Sequence, residues 1–291
     1  MRLQMEVILI FAGIVKINYD WLVRLMPLKV WLADAETFVA LHYFFTQNWF
    51  VTIAVYFVVI LHIVGAPLLL FKRTRIYVFL IYCCFHILND HVFQIGSFPW
   101  MSIAFTTIFF DPDWPKKIFK FFDKKPDVNL FNETPPAKQN IITYLMVIWV
   151  ITQILIPSRY LLYPGNPSWT GEGQRFAWRM KLNIINGMTS FYVTDPETNQ
   201  KQRVTAKDYL TFQQFSEMLC QPDMILQFAH HIHKVWTQEK GYKNVKVTVE
   251  SVCSLNKRKP VTYINPEIDL AHVERNLKHN DWVLPVDLKA E

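Results

Sequence analysis

Residues 49–71 read WFVTIAVYFVVILHIVGAPLLLF, 23 residues without a formal charge. At a rise of ~1.5 Å per residue, a helix of that length crosses a hydrocarbon core of ~30 Å, so this stretch is expected to be a transmembrane helix. Residues 76–110, with Asp90 as their one acidic residue, are long enough for a tilted helix plus a re-entrant or broken piece. Residues 141–157, IITYLMVIWVITQILIP, are a third candidate closed by proline, and no comparable run follows Pro157. The chain is 52% hydrophobic, yet its mean hydropathy is only +0.13, so a polar portion must balance these segments. The expected fold class is an integral membrane α-helical domain over 1–157, followed by a soluble, β-rich α+β domain over 158–291.

Basic residues refine the membrane reading. Lys72, Arg73 and Arg75 precede the second apolar segment, and Lys116, Lys117, Lys120, Lys124 and Lys125 follow it. The positive-inside tendency is best met if 76–110 enters and leaves on one side, as a hairpin or re-entrant unit; a single crossing remains the alternative. Much of the net charge of +6 sits in these flanks, near anionic headgroups, and no nucleic-acid motif claims it. A lipid bilayer is therefore an expected partner and nucleic acid is not. The opening MRLQMEVILIFAGIV has the basic start of a secretory leader. It has no clear small-residue cleavage site and runs straight on into Lys16, so it reads as the end of a membrane helix. So little chain ahead of it suggests a missing upstream portion.

The polar portion has turn formers in LYPGNPSWTGEG (162–173), and RFAWRMKLNI (175–184) alternates like a strand. A hairpin is expected around Asp195 and Pro196, helices over 206–220 and 222–240, and a strand over 245–255 with a hairpin tip at NKRK. Cys83 and Cys84 lie in the apolar segment. Cys220 and Cys253 lie in the polar portion, with neither CxxC nor zinc spacing, and their pairing as a disulfide stays open.

Lys16 stands at the border of the first apolar run, in FAGIVKINYDW. Such a lysine can snorkel to the headgroups. Alternatively, it is a base, since apolar surroundings can keep an amine available to accept a proton. In CCFHILNDHVFQIG, His86, Asn89 and Asp90 share one helical face, with His91 beside them; they either bond helices together or wall a site. AHHIHK (229–234) places His230, His231 and His233 on a helix without HExxH or a carboxylate partner, so a solvated or packed face is expected rather than a metal site. GxSxG, P-loop and dinucleotide fingerprints are absent from the sequence.

FAGIVKINYDW, FHILNDHVFQIGSFPW with DPDWP after it, LLYPGNPSWTGEGQRFAWRM, and NKRKPVTYINPEIDLA together resemble the vitamin K-dependent gamma-glutamyl carboxylase family and its microbial homologues. The resemblance implies an integral membrane enzyme that deprotonates vitamin K hydroquinone and uses its reaction with O2 to make a strong base. That base removes the γ-proton of a glutamate in a peptide or protein substrate, and CO2 adds to the carbanion. No metal is required. Lys16 matches the lysine of the family's AG-x-x-K motif, the base that starts the cycle. His86 and Asn89 match an H-x-x-N pair that lines the quinone pocket. Trp169 and Trp178 match aromatic positions on the substrate side. Arg175 and Arg179 are our own candidates for carboxylate recognition, because guanidinium forks bind carboxylates bidentately; ordinary surface charge is the alternative. Family members carry further helices, with a catalytic histidine, ahead of the AG-x-x-K helix. Three readings follow: a carboxylase or piece of one, a quinone epoxidase-type homologue without carboxylation, or an inactive membrane scaffold or fragment. The address implied is the plasma membrane in a prokaryote and the endoplasmic reticulum membrane in a eukaryote.

Overall fold

The computed structural model describes residues 1–35, 42–93, 95–115 and 136–288, and among them the chain forms two compact units. One unit comprises Met1–Ser158 with Phe176–Leu182, the other Arg159–Arg175 with Asn183–Glu291.

The first unit is helical. Its main helices are α1 (Arg2–Ile14), α2 (Asn48–Ile60), α3 (Arg75–Phe93), α4 (Phe98–Thr106) and α5 (Pro136–Ser158). Three helical stretches, Asn48–Leu68, Arg75–Phe93 and Asn140–Leu162, are long and apolar enough to cross a membrane. On α2, Val51, Val55 and Val58 recur on one helical face and are buried. Ile53, Tyr56, Phe57 and Ile60 on its other faces are exposed, as a helix solvated by lipid would leave them. α2 runs on as a π turn, Leu61–Gly65, and a last turn, Ala66–Leu68. Tyr82 on α3 donates to Leu61 O at the start of that π turn (2.9 Å). Arg75 closes the far end by donating to Leu69 O and Leu70 O, two of the carbonyls that a helix terminus leaves unpaired.

Residues 76–110 form a long helix followed by a nine-residue one, α3 and α4, with Gly96 (φ +64°) in the turn before α4. Trp100 Nε1 donates to Asp90 Oδ2 across the pair (3.2 Å). The lysines at 116, 117, 120, 124 and 125 lie outside the described residues. α5 is exposed and apolar along most of its length, and Gln4 ties it to α1 through Gln153 (2.9 Å) and Trp149 (3.2 Å).

The second unit is built on a four-stranded antiparallel sheet in the order β2–β1–β3–β4, formed by Ile185–Thr194 (β1), Lys201–Val204 (β2), Lys246–Leu255 (β3) and Val261–Thr262 (β4). Alternation decides its faces. Thr189, Phe191 and Val193 on β1 pair with Ser251, Val249 and Val247 on β3, and all six side chains are buried. Helix α6 (Phe212–Met218) starts at a capping box between Thr211 and Gln214; α7 (Pro222–Gln238) carries proline in its first turn and buries Ile225, Ala229 and Ile232 in the same core. Cys220 and Cys253 form a disulfide. Together with the Val252 carbonyl it crowds Gly187, the register partner of Cys253: a Cβ there would clash with Val252 O and sit 2.6 Å from Cys220 Sγ.

One expectation is corrected. The run 175–184 is not a strand. Phe176, Trp178 and Lys181 adopt positive φ (61°, 54° and 51°), which breaks the extended backbone that a ladder needs, so the sheet begins only at Ile185. Of the histidines of α7, His230 and His233 are half-buried and His231 is exposed. His230 Nε2 meets Val273 O (2.9 Å), His233 Nδ1 meets Val245 O (3.0 Å), and His231 stacks on Phe228.

Candidate functional site

A cavity of about 860 Å³ lies within the helical unit. Phenylalanine, leucine, methionine and tryptophan side chains make most of its wall, with Lys16, His62, His86, Asn89, Ser102 and Lys181 as polar members. Its volume is in the ~300–1,000 Å³ range of small-molecule sites, and apolar walls with a few polar groups are their usual character.

Lys16 reaches the cavity because α1 ends two residues earlier. Asn18 accepts from Trp21 N (3.0 Å) and starts the short helical turn Tyr19–Leu22, so Lys16 lies in the corner between the two. The side chain is 8% exposed. Its Nζ donates to Ala12 O (2.7 Å) and lies 5.4 Å from the Trp21 ring centre. Among the described residues it has no carboxylate partner. A buried amine held by a carbonyl and an aromatic ring does not match a snorkelling lysine, whose head group stays wet.

His86 and Asn89, three residues apart on α3, both line the cavity. His86 is 4% exposed, stacks on Tyr82 and meets Phe85 and Phe98 edge-on. Neither ring nitrogen has a hydrogen-bond partner among the described residues. Interhelical glue would use those nitrogens, so the side chain is placed as a wall with unspent bonding capacity. Asp90 and His91, their sequence neighbours, do not line the cavity. Asp90 binds Trp100, and His91 Nδ1 meets Ile87 O (2.8 Å).

Trp178 lines the cavity and Arg179 does not, although both belong to the segment Phe176–Leu182 of the helical unit. Trp169 belongs to the other unit. It is 1% exposed, donates from Nε1 to Leu284 O (2.8 Å) and packs edge-on against Tyr263, whose hydroxyl donates to the Trp169 carbonyl (2.7 Å). Its place is the core of that unit, not a surface open to a peptide. Arg175 pairs with Asp223, which also holds Arg275 through two bonds of 2.6 and 3.0 Å. These arginines, by hydrogen bond and by charge, hold the Asp223 carboxyl below the usual aspartate range.

His62 and Glu6 are buried ionisable groups of the helical unit that the sequence reading does not single out. His62, 5% exposed, lines the cavity from the π turn of α2. Its signal was a histidine inside the uncharged run 49–71, since an ionisable residue at membrane depth is a functional candidate by default. Glu6 on α1 is 4% exposed, and neither carboxylate oxygen has a partner among the described residues.

Two family models match the chain. One described as "Vitamin K-dependent gamma-carboxylase, lumenal domain" covers residues 138–289, and one described as "HTTM domain" covers residues 1–114. No solved structure matches the chain.

Proposed function

Because the chain belongs to the vitamin K-dependent gamma-glutamyl carboxylase family, we propose that the cavity of its helical unit binds vitamin K hydroquinone and that Lys16 takes the first proton of a carboxylation cycle. The observation that carries this reading is Lys16 itself, buried at the cavity wall with a carbonyl and an indole for neighbours and no counter-ion among the described residues. An apolar cavity of about 860 Å³ with a few polar groups suits a lipophilic hydroquinone with two hydroxyls.

When bound, the hydroquinone supplies, with O2, the strong base needed to remove a glutamyl γ-proton before CO2 adds. Lys16 accepts a hydroxyl proton at Nζ, and the Ala12 carbonyl and Trp21 ring stabilise the ammonium that results. His86 and Asn89 offer hydrogen bonds to ligand oxygens, and the aromatic walls keep water out. Trp178 forms part of the wall toward a glutamate-containing peptide or protein. Arg175 and Arg179 are our candidates for the substrate carboxylate, since guanidinium forks bind carboxylates bidentately. The three long apolar helices support insertion in a bilayer, of the plasma membrane in a prokaryote or the endoplasmic reticulum in a eukaryote.

The test is epoxide formation from vitamin K hydroquinone by detergent-purified protein, with ¹⁴CO2 and a short glutamyl peptide present. Removing a general base costs ~10²–10⁴-fold, so Lys16→Ala is expected to lose epoxide and label together. Epoxide at the wild-type rate in Lys16→Ala refutes the role of Lys16. Lysine-dependent epoxide without label would identify oxygenation uncoupled from carboxylation.

A further inference from the structure

His62 is held more firmly than packing alone requires. The π turn that carries it, Leu61–Gly65, packs against α1 at Gly13, where an added Cβ would lie 2.9 Å from His62 Cβ. π turns of this kind recur at functional sites. Lys16 is three residues beyond Gly13, so His62 and Lys16 approach the cavity from the same contact between helices, and both line it. The imidazole is clamped edge-on by Tyr82 (centroids 5.9 Å) and Phe85 (5.4 Å). Its Nδ1 lies 2.7 Å from Val58 O. A carbonyl only accepts, so Nδ1 carries the hydrogen in the neutral ring and Nε2 is left as an acceptor. Nε2 has no hydrogen-bond partner among the described residues.

We propose that His62 is a ligand-orienting residue of the cavity, whose Nε2 accepts a hydrogen bond from a hydroxyl of the bound hydroquinone. The inference rests on the quinol reading of the cavity. It adds a fixed acceptor beside Lys16: the Val58 carbonyl sets the tautomer, the two rings set the plane, and the hydroxyl binds in one orientation. A merely structural histidine would do no more than satisfy Val58 O within the π turn.

Two amide variants separate these roles. Asparagine places its amide N–H where Nδ1 stood, keeping the bond to Val58 O and losing the acceptor. Glutamine reaches the position of Nε2 and can present its carbonyl oxygen there. The readout is anaerobic binding, without turnover, of vitamin K hydroquinone and of its dimethyl ether, which has no hydroxyl to donate. Comparing the ratio of the two dissociation constants across variants cancels the bulk of the added methyl groups. His62→Asn is expected to lower the preference for the hydroquinone about tenfold, and His62→Gln to keep it within about twofold of wild type. An unchanged preference in His62→Asn, or one in His62→Gln no better than in His62→Asn, overturns the role of His62 and leaves the quinol reading standing. Wild-type protein that binds neither probe overturns the quinol reading, and this inference with it.

Discussion

Replacing Gly13 with alanine sets two energies against each other. Alanine favours the helical backbone of α1 by ~1 kcal/mol over glycine. The added Cβ, however, would lie 2.7 Å from Ile63 Cγ1, 2.9 Å from His62 Cβ and 3.4 Å from Ile63 N. Carbon atoms sit best at ~3.5–4.0 Å, so the two carbon contacts are short by about 0.6–0.8 Å. The isoleucine can rotate, but the His62 Cβ is fixed to its backbone, so relief requires the two helices to part. Overpacking of this kind costs ~1–3 kcal/mol, which leaves a net loss of about 0–2 kcal/mol once the helical gain is subtracted. Function should suffer more than stability, because the same contact sets Lys16 and His62 at the cavity, and misplacing a reacting group by ~1 Å can cost ~100-fold. The assay pairs thermal melting in detergent with lysine-dependent epoxide formation. The expected result is a rate lower by about 10- to 100-fold with only modestly reduced melting. Gly65→Ala is the control, for its Cβ meets the flexible end of Leu61 (Cδ1 at 3.1 Å) and should be tolerated. A Gly13→Ala protein with the wild-type rate and unchanged or raised melting would refute the argument.

Two further predictions concern the second unit. The lowered pKa of Asp223 means that its contribution to stability is fully present above the unfolded aspartate value of ~3.9 and is lost as pH falls through the lower folded value. Urea denaturation of wild type and Asp223→Asn should therefore differ at neutral pH and converge in acid, with a gap that narrows in high salt because the carboxylate is half exposed; a constant gap from neutral pH to acid would contradict this. The Cys220–Cys253 disulfide spans 33 positions, so chain entropy assigns it about 4 kcal/mol. Cys220→Ala/Cys253→Ala should lower the unfolding midpoint accordingly, and an unmoved midpoint would show that the cross-link contributes nothing to stability through the unfolded chain.

Much of this protein is local, and what is local was legible in the sequence. Uncharged length marked the helices over 49–71 and 141–157, because crossing a bilayer is a matter of residues and rise. Alternation marked β3, and proline marked the start of α7. The run 175–184 alternates just as well, yet three positive-φ residues keep it out of the sheet, and periodicity carries no information about that. Trp169 and Trp178 are both tryptophans beside turn residues, nine positions apart. One fills the core of the sheet unit and the other walls the cavity of the helical unit.

The site divides in the same way. The sequence by itself determined that Lys16, His86 and Asn89 are chemically costly in apolar segments, and its ordered motifs identified the family that the two matching family models show. Only the tertiary structure decided that these residues share one cavity, that His62 joins them, and that Lys16 has no counter-ion among the described residues. The reason is physical. The expense of a polar group in an apolar segment follows from its immediate neighbours along the chain, whereas its partners come from helices far away in sequence. Which of those helices meet is set by packing details as small as the missing Cβ of Gly13.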